Sequence, residues 1–179
     1  MDPEKGLIEG CIKGDRKSQK AMFDRFSRSM MVVSMRYSKS DLEAEDILQE
    51  AFIKVFEKIH TFRGECKLEF WIKRIVVNTA LNYGRSKLYM FPMVDVEQNE
   101  SIIDEDFSLA NFHFKDLLGM IQSLPSGCQV IFNLYAIEGY SHKEIAEVLQ
   151  IEVSTSRSQL VKARRMLQRK IEDLQKIAV

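Results

Sequence analysis

Apolar residues recur at helical spacing through almost the whole chain, and this periodicity most constrains its fold. Segments 4 to 37, 41 to 60 and 69 to 88 repeat apolar side chains every three to four residues, whereas alternating runs long enough for a convincing strand are almost absent. Beyond them the helical pattern resumes at about Phe107, breaks at Leu124-Pro125-Ser126-Gly127 and continues to the end. The sequence therefore predicts an all-α fold.

Residues 89–106, YMFPMVDVEQNESIIDED, interrupt this pattern with a proline, an acidic excess and poor periodicity. We therefore predict two small helical domains, residues 1–88 and 107–179, joined by a flexible acidic linker. The whole chain has a net charge of zero, but residues 91–123 contain one basic and seven acidic side chains. Because a strong autonomous DNA binder usually carries a basic excess, we expect this chain to need help in holding DNA.

Composition limits the class of protein. With 45% apolar and 29% charged residues, the chain resembles an ordinary soluble protein that can bury a core. Its longest apolar runs fall far below the roughly 18 to 20 residues that span a bilayer, and its start, MDPEKGLIEG, lacks the features of a signal peptide. We predict a cytoplasmic protein without membrane insertion, with Cys11, Cys66 and Cys128 as reduced thiols.

Catalysis is not expected from this sequence. His60, His113 and His142 lie far apart, and neither a nucleophile elbow nor a phosphate-binding loop is present. Cys66 is better interpreted as a loop residue than as a nucleophile. No cysteine or histidine spacing suggests a zinc site, so we predict a protein that is not an enzyme and has neither a metal nor a cofactor.

The C-terminal part contains a helix-turn-helix pattern. Ser141 and Glu144 form a Ser-x-x-Glu capping box, and Ser154 or Thr155 can cap a second helix. On that second helix Leu160, Ala163 and Leu167 share one side. The polar and basic residues expected to read DNA are Ser154, Thr155, Arg157, Ser158, Gln159, Lys162 and Arg165, with Gln159 at the margin of the set. A solvated basic helix is the alternative interpretation.

The segment 41–59 carries two different faces. Leu48, Ala51, Phe52, Val55, Phe56 and Ile59 make an apolar stripe that predicts a core contact. A second face combines apolar, amide and acidic residues, namely Leu42, Asp46, Gln49, Glu50 and Ile53. Carboxylates repel nucleic acid, so this face suits a protein partner with a basic rim. Isolated apolar residues are also normal on a surface, which leaves an ordinary solvated face as the alternative.

The segment 69–87, EFWIKRIVVNTALNYGRSK, has a second unusual stripe. At about 100° per residue, its apolar side holds Ile72, Ile75, Val76, Ala80 and Tyr83. The other stripe holds Trp71, Arg74, Asn78, Asn82 and Arg85, without any acid. Aromatic rings, amides and guanidinium groups can meet the flat faces and open edges of unpaired bases. The stripe therefore indicates contact with single-stranded nucleic acid.

These segments also carry a family resemblance. In order along the chain, DLEAEDILQEAF, FRGECKLEFWIKRIVVNTALNY, an acidic linker and LPSGCQVIFNLYAIEGYSHKEIAEVL with its helix-turn-helix resemble a bacterial sigma factor of the extracytoplasmic-function group. The resemblance covers nearly the whole chain. It implies a protein that binds core RNA polymerase and directs promoter-specific transcription initiation, with the polymerase performing all covalent chemistry.

The resemblance implies roles for the residues identified above. Leu42, Asp46, Gln49, Glu50 and Ile53 would dock on the β′ coiled coil of the polymerase, and the second domain would meet the β flap. Residues 1–88 would melt and read the minus-ten promoter element through Phe62, Arg63, Gly64, Lys67, Trp71, Arg74, Asn78, Asn82 and Arg85. The loop Phe62 to Lys67 would receive a flipped base, while Trp71 would either contact a base or pack at the base of the loop. Residues 107–179 would bind the minus-35 element, and an anti-sigma factor is a further expected partner. The linker would enter the RNA path of the polymerase; an acidic tether kept soluble by its charge is the alternative.

Three positions depart from the family pattern. Gln150 occupies a turn position that is usually glycine, Ser154 replaces a glycine, and Ser156 stands where a valine commonly packs. Since a positive φ costs a non-glycine residue roughly 1 kcal/mol, we expect a different geometry in this turn. The alternative function is a conventional helix-turn-helix transcriptional regulator, which would leave the Asn and Arg stripe and the acidic face unexplained.

Overall fold

The computed structural model describes residues 3–88 and 114–177, and these residues contain eight α-helices and no strand. The all-α prediction is therefore confirmed. The chain divides into an N-terminal unit, Met1–Arg85, and a C-terminal unit, Ser86–Val179. The predicted acidic linker, residues 89–106, lies outside the described residues.

Four helices form the N-terminal unit: α1 (Pro3–Ile12), α2 (Arg16–Tyr37), α3 (Asp41–Lys58) and α4 (Leu68–Leu88), with a 3₁₀ turn at Ile59–Thr61. The helical pattern predicted over residues 4 to 37 is confirmed, and the structure divides it into two helices, α1 and α2. Gly14 takes a φ of +74°, and the Asp15 carboxylate accepts a hydrogen bond from the Ser18 amide at 2.9 Å. A glycine in the left-handed region followed by an N-cap ends one helix and begins the next.

The core of the N-terminal unit lies between α2, α3 and α4. Met22 and Met30 of α2 and Ile47 of α3 are fully buried, and the rings of Phe23 and Phe52 meet edge to face at 4.8 Å. The buried side of α4 includes Leu68, Ile72, Val76 and Ala80. Each large apolar side chain contributes about 1.5 to 3 kcal/mol when it is fully buried, so this packing fixes which faces of α3 and α4 remain outside.

The C-terminal unit contains α5 (Phe114–Gln122), α6 (Ser126–Phe132), α7 (His142–Leu149) and α8 (Val153–Ile177), and α6 continues as a π-helical segment, Asn133–Ile137. The break predicted at residues 124–127 is confirmed, because α5 ends before it and α6 begins within it. The predicted start near Phe107 lies outside the described residues. Leu160, Ala163 and Leu167 of α8 are buried, as their spacing indicated.

Membrane insertion has no candidate helix in the described ranges. Neither residues 3–88 nor residues 114–177 contain a helix that is long and apolar enough to cross a bilayer.

Candidate functional site

The outward face of α3 presents apolar side chains between polar and acidic ones. Leu42 is 70% exposed and Ile53 is 58% exposed. Asp46, Gln49 and Glu50 are also exposed between them. The opposite side of the helix is buried through Ala44, Ile47, Leu48, Ala51, Phe52 and Val55. The structure thus brings together all five residues that the sequence assigned to this face, which we call the α3 surface.

One ion pair lies at the edge of the α3 surface. The Lys54 ammonium group lies 2.6 Å from a Glu50 carboxylate oxygen and 3.5 Å from the Thr79 hydroxyl of α4. The first contact is a partly exposed pair one helical turn apart, which contributes only a few tenths of a kcal/mol. Its main effect is to orient the Glu50 carboxylate beside the apolar residues.

The loop before α4 is shaped by a glycine and held by an aromatic pair. Gly64 takes a φ of +75°, a conformation that a side chain would strain. Arg63 and Lys67 are exposed. At the base of the loop the rings of Phe62 and Trp71 meet at 5.6 Å with an interplanar angle of 62°. Trp71 is half-buried, and its contact with Phe62 is the packing that the sequence analysis gave as one of its two possible roles.

The polar stripe of α4 lies on the outside of the N-terminal unit. Arg74, Asn78 and Asn82 are exposed and follow one another at intervals of four residues. We call these three residues the α4 row. Arg85 belongs to the same helix, but its side chain lies outside the described part of the structure. An exposed row of amides and a guanidinium without a carboxylate can donate and accept hydrogen bonds at base edges and phosphates.

Phe70 is a surface residue that the sequence analysis missed. Its side chain is 57% exposed at the beginning of α4, directly after the loop. The available signal was its position four residues before Arg74. The residue type concealed this position, because phenylalanine is normally expected in a core.

The helix-turn-helix begins with the predicted capping box, which is confirmed. The Ser141 amide donates to the Glu144 carboxylate at 2.8 Å, and the Glu144 amide donates to the Ser141 hydroxyl at 3.3 Å. Hydrogen bonds from the Ser141 hydroxyl and amide lower the pKa of Glu144. The helix α7 that follows buries Ile145 and Ala146.

The turn after α7 keeps the left-handed conformation despite its side chain. Gln150 has φ 56° and ψ 48°, and the Ile151 amide donates to the Ala146 carbonyl at 3.0 Å. The expectation of a different turn geometry was therefore wrong. The hydrogen bonds and packing of α7 and α8 outweigh the roughly 1 kcal/mol that a non-glycine residue loses there.

The outward side of α8 carries most of the residues predicted to read DNA. Ser154, Arg157 and Ser158 are exposed, while Thr155, Lys162 and Arg165 are half-buried. The expectation that Ser154 or Thr155 caps the helix was wrong, because α8 already begins at Val153. The Ser156 amide donates to the Glu152 carbonyl at 3.1 Å, which places Ser154 and Thr155 within the first turn.

Gln159 requires a correction. Only 8% of it is exposed, and its side-chain oxygen accepts a hydrogen bond from the Cys128 thiol of α6 at 2.9 Å. A side chain bonded in the interior is not available to base edges. Gln159 therefore belongs to the packing of the C-terminal unit, although helical spacing placed it at the margin of the polar face.

Ser156 forms a second polar contact behind the recognition helix. It is fully buried, and its hydroxyl lies 2.9 Å from Nδ1 of His142 on α7. The His142 ring stacks on Tyr135 at 4.5 Å. Burial, followed by the positive charges of Arg157 and Arg164, lowers the pKa of His142. A hydrogen bond thus lies where the sequence analysis noted a missing valine.

Cys11, Cys66 and Cys128 form no disulfide with one another, and their surroundings differ. Cys66 is exposed in the loop before α4, whereas Cys11 and Cys128 are buried. Burial, together with the nearby Asp15 carboxylate, raises the pKa of the Cys11 thiol.

Comparison with known proteins covers both units. The family model of sigma-70 region 2 matches residues 22–88, and that of sigma-70 region 4 matches residues 114–167. The chain is similar to the ECF RNA polymerase sigma-E factor of Haemophilus influenzae. The alignment is 190 residues long, has 30% identity and covers 96% of each chain. It is also similar to the protein of the same description from Escherichia coli, with 30% identity over 180 residues and 94% of each chain.

A solved structure shares the fold. The sigma factor RpoE from Bartonella quintana, in a co-crystal structure with the anti-sigma factor NepR, aligns with a TM-score of 0.51 and 19% sequence identity. The alignment covers 86% of this chain and 96% of that one.

Proposed function

The chain belongs to the extracytoplasmic-function sigma factors of bacterial RNA polymerase, and on that premise we propose how its exposed surfaces divide the recognition of polymerase and promoter. As a sigma factor it directs promoter-specific transcription initiation. We assign residues 1–88 to polymerase binding and the minus-ten element, 89–106 to the linker, and 107–179 to the minus-35 element.

The α3 surface is the proposed contact with core polymerase. Leu42 and Ile53 each leave more than half of their side chain in solvent, and burying them against a partner is favourable. The neighbouring Asp46 and Glu50 complement a basic rim, and Gln49 supplies further hydrogen bonds. The proposed partner element is the β′ coiled coil, while the second domain meets the β flap.

The α4 row and the loop before it are the proposed minus-ten site. The loop residues Phe62, Arg63, Gly64 and Lys67 surround the place for a flipped base. Arg74, Asn78 and Asn82 bind the separated strand, with Arg85 as a further contact. Trp71 acts by packing on Phe62, because edge-to-face contact occupies part of its ring. Base flipping costs a few kcal/mol, which these contacts and those with polymerase offset.

The outward side of α8 is the proposed minus-35 site. Ser154, Thr155, Arg157, Ser158, Lys162 and Arg165 form it, and Gln159 is left out because its side chain is buried. Early residues of a recognition helix reach base edges in the major groove, and basic residues farther along meet phosphates.

One observation supports this division best: the α3 surface and the acid-free α4 row occur in the same unit. A conventional helix-turn-helix regulator needs only the C-terminal unit and has no use for either surface. We further propose that the protein acts in the cytoplasm without catalysing a reaction. An anti-sigma factor is its proposed regulatory partner, since the structural relative from Bartonella quintana was solved with one.

Core binding tests the polymerase assignment. The double variant Asp46→Arg with Gln49→Arg places positive charge on the α3 surface, and we expect at least a tenfold loss of affinity for core polymerase in a fluorescence titration. Asp46→Arg alone is compared with Glu9→Arg, which makes the same charge change at an exposed position on α1.

The result for Glu9→Arg separates a local contact from a general charge effect. We expect this control to bind core polymerase like the wild type. Unchanged affinity of the double variant would remove α3 from the interface. A wild-type protein that gives no promoter-dependent transcript with core polymerase would contradict the whole assignment.

A further inference from the structure

Among the side chains whose burial the structure describes, Phe70 is a strongly exposed aromatic residue, with 57% of it accessible to solvent. Unlike tyrosine or tryptophan, phenylalanine has no polar group that gains from contact with water. A single exposed apolar residue is unremarkable by itself. The residues beside Phe70 on α4 indicate that its exposure serves binding.

Phe70 extends the α4 row at its N-terminal end. Phe70, Arg74, Asn78 and Asn82 are separated by four residues each and are all exposed. Side chains four residues apart on a helix are neighbours, with Cβ atoms about 5 to 6 Å apart. From end to end the extended row spans roughly 18 Å. The ring therefore stands at the end of the proposed strand-binding surface that lies next to the loop.

The two adjacent aromatic residues of α4 have different surroundings. Trp71 is half-buried and packs edge to face on Phe62 at 5.6 Å, which supports the base of the loop. Phe70 precedes it in the sequence, yet more than half of its side chain is exposed. Of the two, Phe70 thus offers the larger exposed surface for stacking.

We propose that Phe70 is a further DNA-contacting residue, whose ring stacks on an unpaired base of the separated promoter strand beside the loop Phe62 to Lys67. The proposal rests on the assignment of the α4 row to that strand. Arg63, Lys67 and Arg74, which are exposed and lie within seven positions of Phe70 in the sequence, attract the strand's phosphates. Glu65 in the loop and Glu69 on α4 are the nearby acids in sequence, and Glu69 falls about 100° around the helix from Phe70.

Stacking makes a specific prediction about strand state and sequence. Only an unpaired base presents a free face to a side chain, and every base has such a face. Phe70 therefore stabilises the melted strand without selecting a sequence, while the asparagines of the α4 row read base edges. Its loss shortens the lifetime of the open complex and leaves the order of preference among minus-ten sequences unchanged.

The test compares four substitutions at one position. Phe70→Ala removes the ring, Phe70→Leu keeps apolar area without a π face, and Phe70→Tyr and Phe70→Trp keep a stacking ring. The probe is a single-stranded non-template oligonucleotide carrying 2-aminopurine across the minus-ten element, titrated with holoenzyme. We expect about a tenfold loss of affinity for the Ala and Leu variants, and near wild-type binding for Tyr and Trp.

Two controls establish the cause. Ile12→Ala, at a 51% exposed apolar residue of α1, should not change oligonucleotide binding. Core polymerase affinity should be the same for every Phe70 variant. Wild-type oligonucleotide binding by Phe70→Ala or Phe70→Leu overturns the proposal, and so does a loss that appears already in core binding.

The asparagine variants separate this proposal from the function on which it rests. If Asn78→Ala with Asn82→Ala weakens oligonucleotide binding and Phe70→Ala does not, only the role of Phe70 is overturned. If neither variant changes binding, the assignment of the α4 row to the strand fails as well. For the variants that add no tryptophan, unchanged fluorescence of the free protein from Trp71, the single tryptophan of the chain, verifies that the N-terminal unit stays folded.

Discussion

The helices α4 and α8 use polar residues in opposite ways. Along α4, Asn78 and Asn82 lie on the outside of the N-terminal unit. Along α8, Ser156 and Gln159 point inward, where they contact His142 and Cys128. A polar side chain at helical spacing can therefore belong to a DNA-facing surface or to the interior behind one.

This difference shows how a recognition helix is oriented. Apolar contacts are non-directional, whereas hydrogen bonds require a narrow geometry. The two bonds from Ser156 and Gln159 connect α8 to α7 and to α6, and they restrict its rotation. Arg157 and Ser158, which lie between the two inner residues in the sequence, consequently remain outside.

The largest effect is expected when an inner polar residue is removed. Gln159→Ala removes one hydrogen-bond acceptor of the buried Cys128 thiol and opens a void, so the free energy of unfolding of the C-terminal unit should fall by about 2 kcal/mol. Hydrogen exchange of peptides from α6 and α8 measures this loss. Ser158→Ala, at the exposed neighbouring position, should stay within about 0.5 kcal/mol. Equal losses of unfolding free energy for Gln159→Ala and Ser158→Ala would contradict the distinction between inner and outer residues of α8.

The outer residues of α4 should show the reverse behaviour. Asn78→Ala with Asn82→Ala removes amide hydrogen bonds that only separated strands can complete, and we expect open-complex formation to fall by about tenfold or more. Permanganate footprinting on a duplex promoter measures the open complex, and a core-binding titration measures holoenzyme assembly. Assembly should be unchanged. A parallel loss in both measurements would indicate a folding defect in the N-terminal unit.

The burial of His142 beside two arginines should make the C-terminal unit sensitive to pH. Burial and the charges of Arg157 and Arg164 lower the pKa of His142 below its ordinary value of 6.5, so between the two pKa values the unfolded chain binds more protons than the folded chain. The contribution of neutral His142 to the stability of the fold is fully present above about pH 6.5. It is lost as the pH falls through the pKa that His142 has in the folded chain. Hydrogen exchange of α7 and α8 between pH 7.5 and 5 should show it. His142→Gln should flatten the dependence, and an unchanged slope in that variant would assign it to other groups.

The smallest effect is expected at the turn before α8. Gln150→Gly relieves the left-handed strain at φ 56°, but it also gives the unfolded chain more freedom, so the net gain should be no more than about 0.5 kcal/mol. Thermal unfolding followed by circular dichroism measures the gain, and Gln150→Ala, which keeps the strain, should give none. A loss of stability in the glycine variant would mean that the glutamine side chain has a role of its own.

Sequence patterns predicted features that depend on segregation of apolar and polar residues. The α3 surface, the α4 row and the buried residues of α8 were all recognisable because each repeats at helical spacing. The turn at Gly14 and Asp15 was missed because apolar spacing is similar on both sides of it, although a glycine and a capping residue mark the place. A stronger weight on such local signals would have separated α1 from α2.

Residues whose role depends on a partner in another helix could not be predicted from spacing. The thiol that Gln159 meets lies 31 positions away in the sequence, and the ring that Ser156 meets lies 14 positions away. Phe70 was missed for the opposite reason, because its residue type is typical of a core while its position is not. In each case the decisive fact is which side of the helix the tertiary packing covers.

The unequal exposure of the three thiols gives the native chain a specific site for chemical labelling. Cys66 is exposed, while Cys11 and Cys128 are buried, and thiol reagents react fastest with accessible thiols. A maleimide dye should therefore attach within the loop before α4 without any preparatory substitution. Energy transfer between that dye and a second dye on promoter DNA would report how the loop approaches the flipped DNA base. The measurement runs in real time and uses the unaltered sequence.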